Sequence, residues 1–148
     1  MTYTSIYRNS EGYYDPTSGA AMVRVLREEK EKRYRPLVYI CSPYAGDVEK
    51  NVEAARNYCR FATELGYIPV APHLFFPQFL DDNDPKERKL GLFFGNVLMN
   101  KCQELWTFGT DFSSGMKAEY LRARKKGYKI RHFTSDCREI TRRIGDAK

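Results

Sequence analysis

Two runs of strand length, Leu37–Cys41 and Glu104–Phe108, each open into a loop of Ser, Gly and Asp residues and then into a segment of helical character. Short, near-continuous apolar runs suit parallel strands that are covered on both faces, since a one-sided strand would alternate with polar residues. The first run leads into Ser42-Pro43-Tyr44-Ala45-Gly46-Asp47. After it, Val48, Val52, Ala55, Cys59, Ala62 and Leu65 recur every three or four residues, the stripe of an amphipathic helix that Gly66 is placed to end. The second run leads into residues 110–119, a loop followed by a helix start. Strands that alternate with helices in this way specify a parallel sheet with right-handed crossovers and helices on both faces.

The other segments extend the alternation. Residues 67–71 read as a shorter strand whose Pro69 suits an edge, where a missing N–H removes no ladder bond. Residues 85–101 read as a helix, with Asp84 as N-cap, Pro85 at the first helical position and Glu87 closing a capping box. Its apolar residues are Leu90, Phe93, Phe94, Val97 and Leu98. Gly127 precedes an alternating strand over 128–133, and Asp136 with Glu139 reads as a second capping box that starts a short terminal helix running into Gly145, Asp146, Ala147 and Lys148. Upstream, residues 1–14 form an arm; Asp15 and Pro16 start a charged helix over 17–34 that suits the surface or a subunit contact, and Arg35-Pro36 ends it. The fold expected is α/β, a three-layer Rossmann/flavodoxin-like parallel sheet of four to five strands with an extra N-terminal helix. The arm and helix take residues 1–35, the α/β domain 36–134, and the helix and tail 135–148. Residues 72–84 have no period and read as a binding loop or lid.

Composition narrows the functional classes. With 148 residues, 42% of them hydrophobic, the chain has material for one real core. No apolar run approaches the 18 residues of a membrane span, and the N-terminus lacks a signal-peptide layout, so a cytoplasmic protein with no membrane partner is expected. Cys41, Cys59, Cys102 and Cys137 form no C-x-x-C pair and read as reduced thiols. Asp81 and Asp82 read as loop residues rather than metal ligands, and neither a metal nor a cofactor is expected. The net charge of +6 is spread over helical segments with interleaved acids, without a nucleic-acid-binding signature, so small phosphorylated ligands fit better than DNA or RNA. Neither G-x-G-x-x-G nor a P-loop is present.

Ligands of open parallel sheets bind beyond the carboxyl ends of the strands. That rule gathers Tyr39, the loop from Ser42 to Asp47, His73 and residues 113–119 around one crevice. Glu119 then has three readings: compensation of the helix dipole, a capping box that fits poorly because Met116 stands three residues earlier, or a carboxylate aimed at a ligand.

Four blocks in order, Val38-Tyr39-Ile40-Cys41-Ser42-Pro43-Tyr44, Pro69-Val70-Ala71-Pro72-His73-Leu74, Glu104-Leu105-Trp106 and Ser114-Gly115-Met116-Lys117-Ala118-Glu119, resemble the nucleoside 2-deoxyribosyltransferase superfamily. More closely, they resemble its phage and bacterial branch related to nucleotide N-glycosidases. The resemblance spans roughly residues 35–133. It implies cleavage of an N-glycosidic bond, or deoxyribosyl transfer, on a nucleoside or nucleoside 5′-monophosphate. Glu119 matches the nucleophile that attacks C1′, and Tyr39 matches the tyrosine that holds it in line. Ser113, Ser114 and the N–H groups of Gly115 and Met116 resemble an anion cradle for a 5′-phosphate, with Ser42, Pro43 and Tyr44 of the first loop beside it and His73 toward sugar or phosphate. Asn96 and Ser113 stand where the transferases carry aspartates that bind and protonate the departing base. Asp111 and Asp47 are the candidates to replace them as the acid. The resemblance also implies a homo-oligomer whose neighbouring chain completes the pocket. Loss of those aspartates leaves a second reading open, a non-catalytic pocket that senses or sequesters a nucleotide-derived molecule.

Overall fold

Leu37–Cys41 forms β1, buried from Val38 onward, and it pairs in parallel with two strands at once. On one side is β2 (Ile68–Val70), and on the other β3 (Glu104–Phe108), every residue of which is buried. β4 (Lys129–Phe133) runs parallel to β3, and β5 (Glu139–Ile140) runs antiparallel to β4, giving the order β2-β1-β3-β4-β5. The protein is thus α/β with a five-stranded, mostly parallel sheet of the Rossmann/flavodoxin-like three-layer kind. Pro69 sits on the edge strand, where the absence of its N–H is tolerated.

The computed structural model describes residues 16–141. The arm, the Asp15 cap and the tail from Gly145 to Lys148 lie outside the described residues. The chain divides into two compact units, Met1–Arg35 and Pro36–Lys148. The first contains helix α1 (Pro16–Arg33), on which Met22, Val25 and Leu26 are exposed.

Within the second unit, side-chain alternation along the strands builds two cores. Val38, Ile40, Trp106, Phe108 and Phe133 point to the face covered by α2 (Val48–Glu64), meeting Tyr58 and Ala62. The aromatic rings there stack closely, Tyr58 on Phe108 at 4.1 Å between centroids and Phe108 on Phe133 at 5.2 Å. Tyr39, Cys41 and Leu105 point to the opposite face, where Met99 of α4 (Pro85–Lys101) and Met116 and Ala123 of α5 (Ser114–Lys125) cover them. With one helix on the first face and two on the second, β1 and β3 feed crossovers to opposite sides, so the crevice between their carboxyl ends is the topological switch point.

Three local expectations are corrected. Residues 72–84 are not a structureless loop: Pro72 opens a short helix α3 (Pro72–Phe75), followed by a 3₁₀ turn at Phe76–Gln78. Asp84 caps α4 through the Lys86 N–H at 3.0 Å, but Glu87 does not close a box on it; its carboxylate accepts the Asp81 N–H at 2.9 Å and ties down the preceding loop. Asp136 and Glu139 start no helix. Cys137 adopts φ 62° in a tight turn closed by Thr134 N–H to the Arg138 carbonyl at 2.8 Å. Glu139 then accepts two bonds from the Arg131 guanidinium across the hairpin, at 2.8 and 2.9 Å. A bidentate, charge-assisted pair outweighs one capping bond, so the carboxylate goes to the neighbouring strand. Among the described residues, no helix is long and apolar enough to cross a membrane.

Candidate functional site

Ser113 is the N-cap of α5, its Oγ accepting the Met116 N–H at 3.2 Å. Glu119 is therefore the sixth residue of the helix, past the first turn, where the dipole's free N–H groups no longer reach it. It faces a cavity of about 250 Å³ instead. The cavity lies beyond the carboxyl end of β1, walled by α3, the loop after it, α4 and the start of α5.

The Tyr39 hydroxyl reaches Glu119 from beneath. Tyr39 is 4% exposed on β1 and hydrogen-bonds the Glu119 carboxylate. Burial, reinforced by the neighbouring carboxylate, pushes the phenol far above its ordinary range, so it stays protonated and serves as a fixed donor. Glu119 is half-buried in the cavity wall. Desolvation raises its pKa to about 7, against the opposing pull of the Tyr39 hydrogen bond and the charge of Arg122. Near neutral pH it divides between acid and carboxylate, a poise seen where carboxyl groups do chemistry. Cys41 lies in the core behind the cavity; burial holds its thiol protonated, and it donates to the Met116 carbonyl at 3.7 Å, joining β1 to the first turn of α5.

On the other side of Tyr39, Ser42 Oγ and His73 Nε2 are 3.0 Å apart. Burial lowers the His73 pKa to about 4, so the ring is neutral at physiological pH and meets a ligand as a hydrogen-bonding group, not as a cation. Gly95 on α4 passes close over the tyrosine: a Cβ there would meet the Tyr39 hydroxyl at 3.5 Å.

The structure brings most of the sequence-derived residues together. Tyr39, Ser42, Tyr44, His73, Asn96, Ser113, Ser114, Gly115, Met116 and Glu119 all line the cavity. Pro43, Asp47 and Asp111 do not. Asp47 is exposed and accepts the Lys50 N–H as N-cap of α2, while Asp111 is exposed beyond β3. Neither acid expected to serve a departing base is therefore in the cavity. Asn96 accepts a bond from Lys126 Nζ at 3.4 Å, and the same ammonium contacts Asn100. Four charged residues that sequence reasoning did not place here also line the cavity: Asp82, Glu87, Arg88 and Arg122. Arg122 carried a legible signal, since it follows Glu119 by three residues and so shares its helix face. Asp82, Glu87 and Arg88 did not, because their position depends on how the segment after β2 folds back. Among the described residues, no group of His, Cys, Asp and Glu is arranged to hold a metal ion.

Fold and site together define an α/β domain with a ligand-sized crevice at its switch point and a half-buried, tyrosine-bonded carboxylate in the crevice wall. The chain belongs to the family described as Domain of unknown function (DUF7768), which it matches over residues 36–133. That span starts with the second compact unit and ends with β4. No curated protein matches the chain.

Proposed function

We propose that this protein cleaves the N-glycosidic bond of a nucleoside or nucleoside 5′-monophosphate, or transfers its deoxyribosyl group, with Glu119 as the nucleophile. The single observation behind this is the pairing of a desolvated Glu119 with the protonated Tyr39 hydroxyl at the cavity floor. A glycosyl centre moving toward an oxocarbenium ion is stabilised by a carboxylate on one face, and a carboxylate stripped of water is a stronger partner for it. Glu119 would attack C1′ while the C1′–N bond breaks and its electrons pass to the base. Water or a second base then attacks the glycosyl ester and frees Glu119. At the start of α5 the Gly115 N–H and the Ser114 hydroxyl suit the anionic end of a nucleotide, while the Met116 N–H is already taken by the Ser113 cap. A volume of about 250 Å³ falls just under the roughly 300–1,000 Å³ usual for larger ligands, and so fits a single nucleoside unit.

The departing base needs a proton. Of the carboxylates lining the cavity besides Glu119, Glu87 already accepts the Asp81 N–H, which leaves the solvent-exposed Asp82 as the group placed to relay one from water. Incubation with a panel of nucleosides and their 5′-monophosphates, followed by chromatography for free base, tests the reaction. Base release that disappears in Glu119→Ala is expected; release unchanged in that variant rules the nucleophile out.

The positions of Asp47 and Asp111 outside the cavity favour one second reading, binding without turnover. Tight association with a nucleotide that is recovered intact, in both the parent chain and Asp82→Asn, would select it.

A homo-oligomer is part of the same proposal. Helix α4 leaves Leu90, Leu92, Phe93 and Val97 exposed, and Leu92, 60% exposed, also lines the cavity. A second copy seated there would cover the apolar residues and close the cavity mouth.

A further inference from the structure

Arg122 follows Glu119 by three residues on α5, which stacks the two side chains on one helix face, and both line the cavity. Ion pairs at contact distance among the described residues join Arg60 to Glu64 and Arg131 to Glu139; none occupies Arg122. Its guanidinium therefore acts on Glu119 across the cavity wall, without the bidentate clasp that would neutralise both groups.

The groups facing Glu119 can be counted element by element. β1 contributes Tyr39 and Cys41, both held protonated by burial. α3 contributes His73, neutral at physiological pH. The loop before α4 and its first turn bring Asp82, Glu87 and Arg88 to the same cavity. Of these three, Glu87 is engaged by the Asp81 N–H. Arg122 is the cation on Glu119's own helix face, and its field is the one charge that favours the carboxylate against desolvation.

We propose that Arg122 is a positioning residue for Glu119, holding it as the carboxylate and turning unpaired N–H donors toward an anionic or carbonyl group of the ligand beside it. This deepens the glycosidase reading and rests on Glu119 being its working group. The consequence is specific. A guanidinium with donors to spare is shared between Glu119 and the ligand, so an anion that binds Arg122 weakens its hold on Glu119 and makes the carboxyl group easier to protonate.

The experiment is a carboxyl-carbon NMR titration of the full chain with labelled glutamate, the Glu119 signal being assigned by its loss in Glu119→Gln. The parent midpoint is expected near 7. In Arg122→Gln it should rise by about 0.5–1 pH unit, a three- to tenfold gain in proton affinity, and Arg122→Lys should recover most of that shift. Arg88→Gln, which removes the other cavity arginine, should move it less. An unmoved midpoint in Arg122→Gln, or an equal shift from Arg88→Gln, overturns the proposal. Arg122→Met, which keeps the aliphatic stem, stands in if the Gln variant does not fold, and the same outcomes apply to it. Adding inorganic phosphate to the parent should raise the midpoint, and should leave it unmoved once Arg122 is replaced; the same phosphate response in both chains overturns the donor role. Absence of base release in every chain would remove the glycosidase reading while leaving the titration result intact.

Discussion

Glu119 holds two properties in tension. Its folded-state pKa of about 7 lies above the ordinary 4.5, so the folded chain binds a proton more tightly than the unfolded one. The associated stability is complete below about pH 4.5 and is lost as pH rises through about 7. Glu119→Gln, neutral at every pH, should therefore match the parent below pH 4.5 and exceed it above pH 7. The gap should be at most about 3 kcal/mol, reduced by solvent at the cavity mouth. Chemical denaturation at pH 4 and pH 8 measures it, and a variant less stable than the parent at pH 8 would show that the carboxylate is not desolvated. Catalysis should run the other way. A nucleophile works ionised, so base release should climb with pH through about 7; a rate that falls over that range would contradict Glu119 as the nucleophile. Glu119 was visible in the sequence as a carboxylate early in a helix, but dipole compensation competed with a ligand role until the helix start at Ser114 put it beyond the first turn.

At the level of elements, α5 separates capping from binding. Ser113 spends its oxygen on the Met116 N–H, so Ser113→Ala should lose about 1 kcal/mol of stability in thermal unfolding, whereas Ser113→Asp should retain the cap. The aspartate would also place a negative charge where a 5′-phosphate is proposed to sit. Affinity for a nucleoside monophosphate should fall sharply in Ser113→Asp while affinity for the uncharged nucleoside changes little; equal losses would remove the phosphate from this helix end. The elements themselves were largely legible, because apolar runs and helical stripes are local. What escaped was decided by distant partners. Glu139 left its capping box for Arg131 on the adjacent strand, and Glu87 left its own for the Asp81 N–H. Asp47 and Asp111 show the same limit at the site: proximity in sequence to the correct loops did not turn them into the cavity.

At the scale of the molecule, the second compact unit carries exposed apolar residues among those described. Phe75 and Phe79, ring against ring, and Phe93 are each more than half exposed, and Phe93 shares α4 with the exposed Leu90 and Val97. Patches of this kind on a folded domain mark contact surfaces. Light scattering should show an oligomer that Phe93→Lys dissociates; a monomer in the parent chain would leave the cavity open on that side and contradict the closure proposed for it. Strand–helix alternation made the parallel sheet legible but not its antiparallel fifth strand, and the observed order places the β1/β3 crevice where a ligand belongs. Which ligand occupies it decides everything else, and a crystal structure of Glu119→Gln soaked with a deoxynucleoside 5′-monophosphate addresses that directly. The sugar should lie in the cavity with C1′ about 3–3.5 Å from the side chain at position 119, the distance of a reacting pair. A nucleotide bound elsewhere, or seated with its sugar turned away from that side chain, would contradict the assignment of Glu119 as nucleophile.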